Sequence, residues 1–249
     1  MAATPRLSGP PTSSNGASSF HARWDMPQVP LRAVSAVLEV VRGPAVSALY
    51  FWALQASFQS GGQNSGQRRG AGHFGLQHHP SYPGAGAVNW GGYHDPSSGG
   101  GILDGTGSAL SSTLGNANTF DYPWAVGQRH RLEIAAAGPG RWRGSVTDLS
   151  TDTTTIVREL FVDADHLVSP MIWSEVFADC DAEPVEIRWS SLAAATVDGK
   201  FVEPTGVSLS YQSEADGGCS NTSTTVEDGW LIQRTATERV HVHGARLRW

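Results

Sequence analysis

Apolar and polar side chains alternate over short stretches of this sequence, and clusters of Gly, Pro, Ser, Asn and Asp break the alternation repeatedly. A period of two is the signature of strands with one buried face. Segments 33–41 and 45–58 are separated by Arg42-Gly43-Pro44, a strand, turn, strand signal. In the second, Tyr50, Trp52, Leu54, Ala56 and Phe58 share one side, opposite Phe51, Ala53, Gln55 and Ser57. Segments 72–79 and 87–94 flank a turn built from Pro80, Pro83, Gly84 and Gly86, which predicts a hairpin with one greasy and one hydrogen-bonding face.

The same reading continues to the end of the chain. Segments 129–135, 141–149 and 153–162 read as consecutive strands, with Trp142, Gly144 and Val146 opposed to Arg143, Ser145 and Thr147. Segments 171–177 and 185–192 flank an acidic loop; Trp173, Glu175 and Phe177 face one way in the first, Val185, Ile187 and Trp189 in the second. Strands at 207–211, 229–235 and 240–249 close the pattern, the last with His241 and His243 on one face. Segment 59–72 reads as a mobile exposed loop, and 95–121 as a long loop bordering a ligand site. Many short strands without a helical pattern between them predict an all-β fold with little helix: a two-sheet antiparallel jelly-roll sandwich.

Composition narrows the picture. The chain has 249 residues and suits a single β-sandwich domain over 31–249, preceded by a flexible Pro/Ser/Gly-rich leader over 1–30. With a formal charge of −6 and Lys200 as its only lysine, it has no basic stripe for a phosphate backbone, so nucleic acid is not an expected partner. No apolar run approaches the roughly 20 residues of a membrane-spanning helix, and no membrane role is expected. Residues 1–30 lack the continuous apolar stretch of a secretory signal, which slightly favours the cytoplasm and leaves localisation undecided. Cys180 and Cys219 both sit beside turn residues, compatible with a disulfide or with two reduced thiols.

The blocks 50–55, 72–77, 87–93 and 142–148, joined by Trp173-Ser174-Glu175-Val176-Phe177 and Gly217-Gly218-Cys219-Ser220-Asn221-Thr222, carry a resemblance. The chain looks like uncharacterised bacterial β-sandwich proteins, domain-of-unknown-function families with a concanavalin-like jelly-roll fold, over residues 33–249. The resemblance implies that fold and a leaning toward carbohydrate, and fold alone does not give function.

If the apolar sets point inward, Gln55, Gln77 and Asn89 share the outer face of neighbouring strands, with His73, His79 and Tyr93 near the strand ends, joined by Arg143, Trp173 and Glu175. Amides and a carboxylate for hydroxyl pairs, with aromatic faces for the C–H side of a sugar ring, predict a lectin-like, carbohydrate-binding face. The plainer alternative is that the amides are solvent-side sheet residues and that Trp90 and Trp173 are core. Two catalytic patterns stand as alternatives. Gln77-x-His79 resembles the Gln-x-His element of jelly-roll polysaccharide lyases, and Glu175 with Asp148, Asp179 or Asp181 offers the carboxyl pair of a glycoside hydrolase. Neither is complete, so the expectation leans away from an enzyme; a non-catalytic assembly module is the remaining class. No cofactor is expected, although Asp179, Asp181 and Glu183 offer oxygen ligands for Ca²⁺. The oligomeric state stays open.

Overall fold

The computed structural model describes residues 4–61 and 66–249. Among the described residues it contains sixteen strands and no α-helix; Pro83–Ala85 and Pro96–Ser98 form single 3₁₀ turns. The strands are β1 (Ser18–Trp24), β2 (Leu31–Arg42), β3 (Tyr50–Ser60), β4 (Gln67–His78), β5 (Gly86–His94), β6 (Thr119–Asp121), β7 (Arg129–Gly138) and β8 (Arg141–Asp148). They continue as β9 (Thr153–Phe161), β10 (His166–Val176), β11 (Glu186–Thr196), β12 (Phe201–Val202), β13 (Gly206–Tyr211), β14 (Ser223–Glu227), β15 (Trp230–Arg234) and β16 (Arg246–Arg248).

Pairing is antiparallel throughout. The front sheet runs β16-β13-β1-β10-β3-β4-β5-β6 and the back sheet β14-β15-β11-β2-β7-β8-β9, with β12 beside β11. Between β2 and β10, which both lie inside their sheets, one pair of residues links the two, Leu167 with Leu31. This is the all-β sandwich that the alternation predicts, and its core lies between the sheets. Phe20, Trp52, Leu54, Phe58, Phe74, Leu76, Val88, Trp90 and Ile172 enter from the front; Leu38, Leu132, Ile134, Trp142, Val146, Ile187 and Trp189 enter from the back. Each such side chain stabilises the fold by about 1.5–3 kcal/mol when fully buried. The sheets interlock at Trp90, whose indole N–H donates to the Trp142 carbonyl at 3.3 Å. Gly144 makes room for it: a Cβ there would lie 2.8 Å from Trp90 Cγ.

Four expectations about segments are corrected. Residues 1–30 are not a loose leader, because β1 lies between β10 and β13 in the front sheet. Phe20, Ala22 and Trp24 point into the core while Ser19, His21 and Arg23 point out, an alternation hidden in a Pro/Ser/Gly-rich stretch. The preceding residues are also anchored, with Cys180 N–H donating to Gly9 O and Ser220 N–H to Arg6 O. Segment 59–72 is largely strand, β3 reaching Ser60 and β4 starting at Gln67, while residues 62–65 lie outside the described residues. Segment 95–121 crosses to the back sheet, where Gly105 bridges Leu160, and so covers one open side of the sandwich. Of the strand expected at 240–249, only Arg246–Arg248 is paired, with β13. Cys180 and Cys219 form a disulfide with Cα atoms 5.5 Å apart.

Candidate functional site

The outer face of the front sheet is built in rows set by strand register. Ser19, Glu175, Phe51, Gln77 and Ala87 form one row across β1, β10, β3, β4 and β5. His21, Trp173, Ala53, Gly75 and Asn89 form the next, and Arg23, Met171, Gln55, His73 and Gly91 the third. Small residues therefore lie in the middle of the sheet, with large ones around them, and the face is hollowed into an open groove. Gly75 is obligatory there, since a Cβ would lie 1.9 Å from the Trp52 carbonyl oxygen. The groove encloses about 530 Å³ and is lined by Gln55, His73, Gln77, Asn89, Trp173 and Glu175 among others.

Gln55, Gln77, Asn89, Tyr93, Trp173 and Glu175 thus come together as the alternation predicts. His79 and Arg143 do not. His79 falls beyond the end of β4, in the turn, where its Nδ1 accepts the Ser81 N–H at 3.1 Å. Loss of strand geometry at Pro80 also separates it from Gln77, which removes the Gln-x-His lyase pattern. Arg143 belongs to the back sheet, where it is ion-paired with Glu159 at 2.9 Å. Asp148 also lies on that sheet, hydrogen-bonded to Ser150, and Asp181 accepts the Gly9 N–H at 2.9 Å. Glu175 is the only carboxyl among the groove's lining residues, so the two-carboxyl arrangement of glycoside hydrolysis is not formed. Among the described residues, no group of three His, Cys, Asp or Glu side chains is placed to hold a metal ion, Asp179, Asp181 and Glu183 included.

The remaining groups differ in how fully they are satisfied. Gln55 Oε1 accepts the Trp173 indole N–H at 3.0 Å, and its Nε2 lies 3.8 Å from Met171 Sδ. Gln77 Oε1 accepts the Tyr82 hydroxyl at 3.1 Å; its amide nitrogen has no hydrogen-bond partner among the described residues. Asn89 Nδ2 donates to Thr119 Oγ1 at 2.8 Å, whereas its Oδ1 is buried without a partner. Glu175 accepts the Asn15 Nδ2 at 2.9 Å and has no cation within ion-pair distance among the described residues. Burial holds its carboxyl above the usual carboxylate range, against weaker opposing hydrogen bonds from Asn15 and Ser19. Desolvation lowers His73 to about 4. His21 also falls to about 4, mainly through desolvation and then through Arg23, with a hydrogen bond to the Ser210 backbone acting the other way. Both imidazoles are neutral near pH 7.

Reading residues 1–30 as a leader hid Asn15, Ser19 and His21, which all line the groove. The signal was present in the alternation of Ser19, His21 and Arg23 against Phe20, Ala22 and Trp24.

No protein-family model and no curated protein matches this sequence. Solved structures do resemble it. Scytalido-glutamic peptidase with a peptide-based transition-state analogue is 9% identical, covers 87% of this chain and 97% of its own, and has a TM-score of 0.47. The same peptidase with a transition-state analogue inhibitor gives 10%, the same coverages and 0.48. SCP-B, a member of the eqolisin family of peptidases in complex with the tripeptide Ala-Ile-His, gives 9%, the same coverages and 0.47. The likeness is one of fold.

The lectin-like expectation, with a glycan as partner, is corrected here. Trp173 does not supply the stacking platform that the expectation required, and the exposed aromatic of the lining is Tyr93 at its rim. Trp173 is only 7% exposed, with its ring edge-on to Phe51 at 4.9 Å and packed beside His21 and His73. It presents no open face to a sugar ring.

Proposed function

We propose that the groove binds an extended stretch of polypeptide and that Glu175 carries acid–base hydrolysis of a peptide bond within it. The observation that carries this reading is a lone, desolvated carboxyl with a raised pKa in an open groove, a pattern that concentrates at functional sites. One further group suits an amide substrate. The free amide nitrogen of Gln77 is a donor for a carbonyl oxygen. Neutral His21 and His73, with Phe51 and Trp173, leave the rest of the groove's lining uncharged, with Arg23 beyond it in the third row.

Glu175 and Gln77 both pair with Phe51 from opposite sides, which sets their Cα atoms roughly 10 Å apart. A carbonyl held above Phe51 lies within reach of both side chains. Ionised Glu175 takes a proton from water as the water oxygen bonds to the carbonyl carbon. The Gln77 N–H steadies the oxyanion that forms. The protonated carboxyl then gives its proton to the leaving amine as the C–N bond breaks, which restores the carboxylate. A carboxyl with a raised pKa serves both steps near that pKa.

The test offers a mixture of unstructured peptides to the intact protein over acid to neutral pH, with cleavage followed by mass spectrometry. Cleavage that disappears in Glu175→Gln supports the proposal; cleavage unchanged in that variant, or absent at every pH, sinks it. Peptide binding without turnover is a second reading. It is favoured by the groove's lining, in which Glu175 has no second carboxyl beside it. Trp173 fluorescence quenched by peptides that remain intact would select it.

A further inference from the structure

Arg158 is unlike every other arginine on the back sheet. Its residue is only 6% exposed, yet among the described residues it has no carboxylate within ion-pair distance. Nη1 donates to the Ala117 carbonyl at 2.5 Å and to Asn118 Oδ1 at 3.1 Å. Nε is buried without a partner, and no hydrogen bond to Nη2 is found among the described residues. A buried guanidinium normally has its charge and its donor fork matched by an acid. Asp104 acts on it only at longer range, and burial pulls its pKa down.

The guanidinium faces a hollow rather than packed protein. A cavity of about 560 Å³ lies against it, between segment 102–112 and the turn at 117–120. Gly105, Thr106, Gly107 and Ser108 bring slender backbone to one wall, and Ile102, Leu110 and Phe120 make another apolar. Glycine at 105 lets this wall lie close to both the arginine and the strand beside it, since a Cβ there would stand 2.3 Å from Nη2 and 2.3 Å from the Glu159 carbonyl oxygen. None of these residues lines the front groove.

We propose that this cavity is a second binding site, which takes a carboxylate bearing a short apolar substituent: the carboxylate lies against the Arg158 guanidinium and the substituent against Ile102, Leu110 and Phe120. The carboxylate supplies the counter-charge that the fold leaves out. Arginine is suited to this because its planar fork meets two carboxylate oxygens at once. The ligand is either a free organic acid or the C-terminal residue of a peptide, which carry the same group.

Thermal unfolding of the intact protein with three probes tests the site: N-acetyl-leucine, N-acetyl-leucinamide and a peptide ending in free leucine. N-acetyl-leucine at ten times its dissociation constant raises Tm by about 3 °C; the amide, lacking the charge, gives no shift. A shift with the peptide as well assigns the site to chain ends, and its absence assigns it to free acids. Arg158→Gln removes the shift. Should that variant fail to fold, Ile102→Asp serves instead, because Ile102 is largely exposed and a carboxylate there repels the carboxylate of the probe and abolishes the response. Glu175→Gln keeps the full shift, which separates this site from the groove. Equal shifts with acid and amide, no shift with any probe, or a shift retained in both Arg158→Gln and Ile102→Asp would overturn the proposal.

Discussion

The two sheets share one alternation but use their outer faces in opposite ways. On the back sheet, carboxylates are matched by arginines: Glu159 with Arg141 and Arg143, Glu39 with Arg188, Glu186 and Glu227 with Arg234. On the front sheet, Glu175 has an amide and a hydroxyl for company and no cation. Desolvation pushes both Glu159 and Glu175 upward, but hydrogen bonds from Arg143 and Arg141 outweigh it at Glu159 and leave its carboxyl below the usual range. Nothing comparable acts at Glu175, which stays raised. Equal secondary structure therefore yields an acid held toward its ionised form on one face and one held toward its protonated form on the other, and the arginines decide which.

The sharpest break in this comparison is catalytic. Replacing Glu175 by Gln preserves shape while removing the proton carrier, so peptide cleavage is expected to fall by roughly 10²–10⁴-fold. Glu159→Gln, on the other face, leaves cleavage unchanged. Progress curves for both variants on the same peptide test the pair, and equal losses would show that the faces do not differ as argued.

Stability should rank the two faces the other way. Glu159→Gln strands Arg141 and Arg143 beside a carboxamide. Both arginines are partly solvent-exposed, so the loss is about 1–2 kcal/mol rather than the larger cost of a fully buried pair. Urea unfolding at neutral pH measures it. A cost below the error of that measurement would mean that the back-face pairs are ornamental.

How much of this contrast could be read in the sequence follows from what alternation encodes. Period two placed Tyr50, Trp52 and Leu54 inward and Phe51, Ala53 and Gln55 outward, because the pleat leaves no other choice. It also placed Trp173, Glu175 and Phe177 on one face. It did not say which strands are neighbours. Arg143 alternates as cleanly as Gln55, and only the pairing of β8 with β7 and of β7 with β2 puts it on the other sheet. His79 was misplaced for a local reason, since the strand ends at His78 ahead of Pro80. β1 was missed because composition was read before period. The hollow itself depends on Ala53 and Gly75 coming side by side across two strands, a juxtaposition that exists only in the fold.

Acid tests the neutral imidazoles of the groove. His21 and His73 fall from the ordinary 6.5 to about 4 on folding, so between those values the unfolded chain binds protons that the folded chain refuses. Stability contributed by their neutral forms is complete above about 6.5 and is lost as pH falls toward 4. His73→Gln should flatten this part of the stability curve, and an unchanged slope would show that its imidazole is not desolvated.

The smallest effect carries the opposite sign. The folded-state pKa of Glu175 is raised, so the folded chain holds this proton at pH values where the unfolded chain has released it. Stability is then lost as pH rises through the unfolded value toward the folded one, and above both the burial of a charged carboxylate is a standing cost. Glu175→Gln removes that cost. The variant should melt slightly above the parent at pH 7, and the two should converge in acid, where the parent carboxyl is already protonated. On the back face, Glu159→Gln lowers the melting point at pH 7, because there the ionised form is the one the fold prefers. If Glu175→Gln also melted lower at pH 7, the carboxylate would be stabilised by neighbours as Glu159 is, and the groove would have lost the reactive acid on which its proposed chemistry rests.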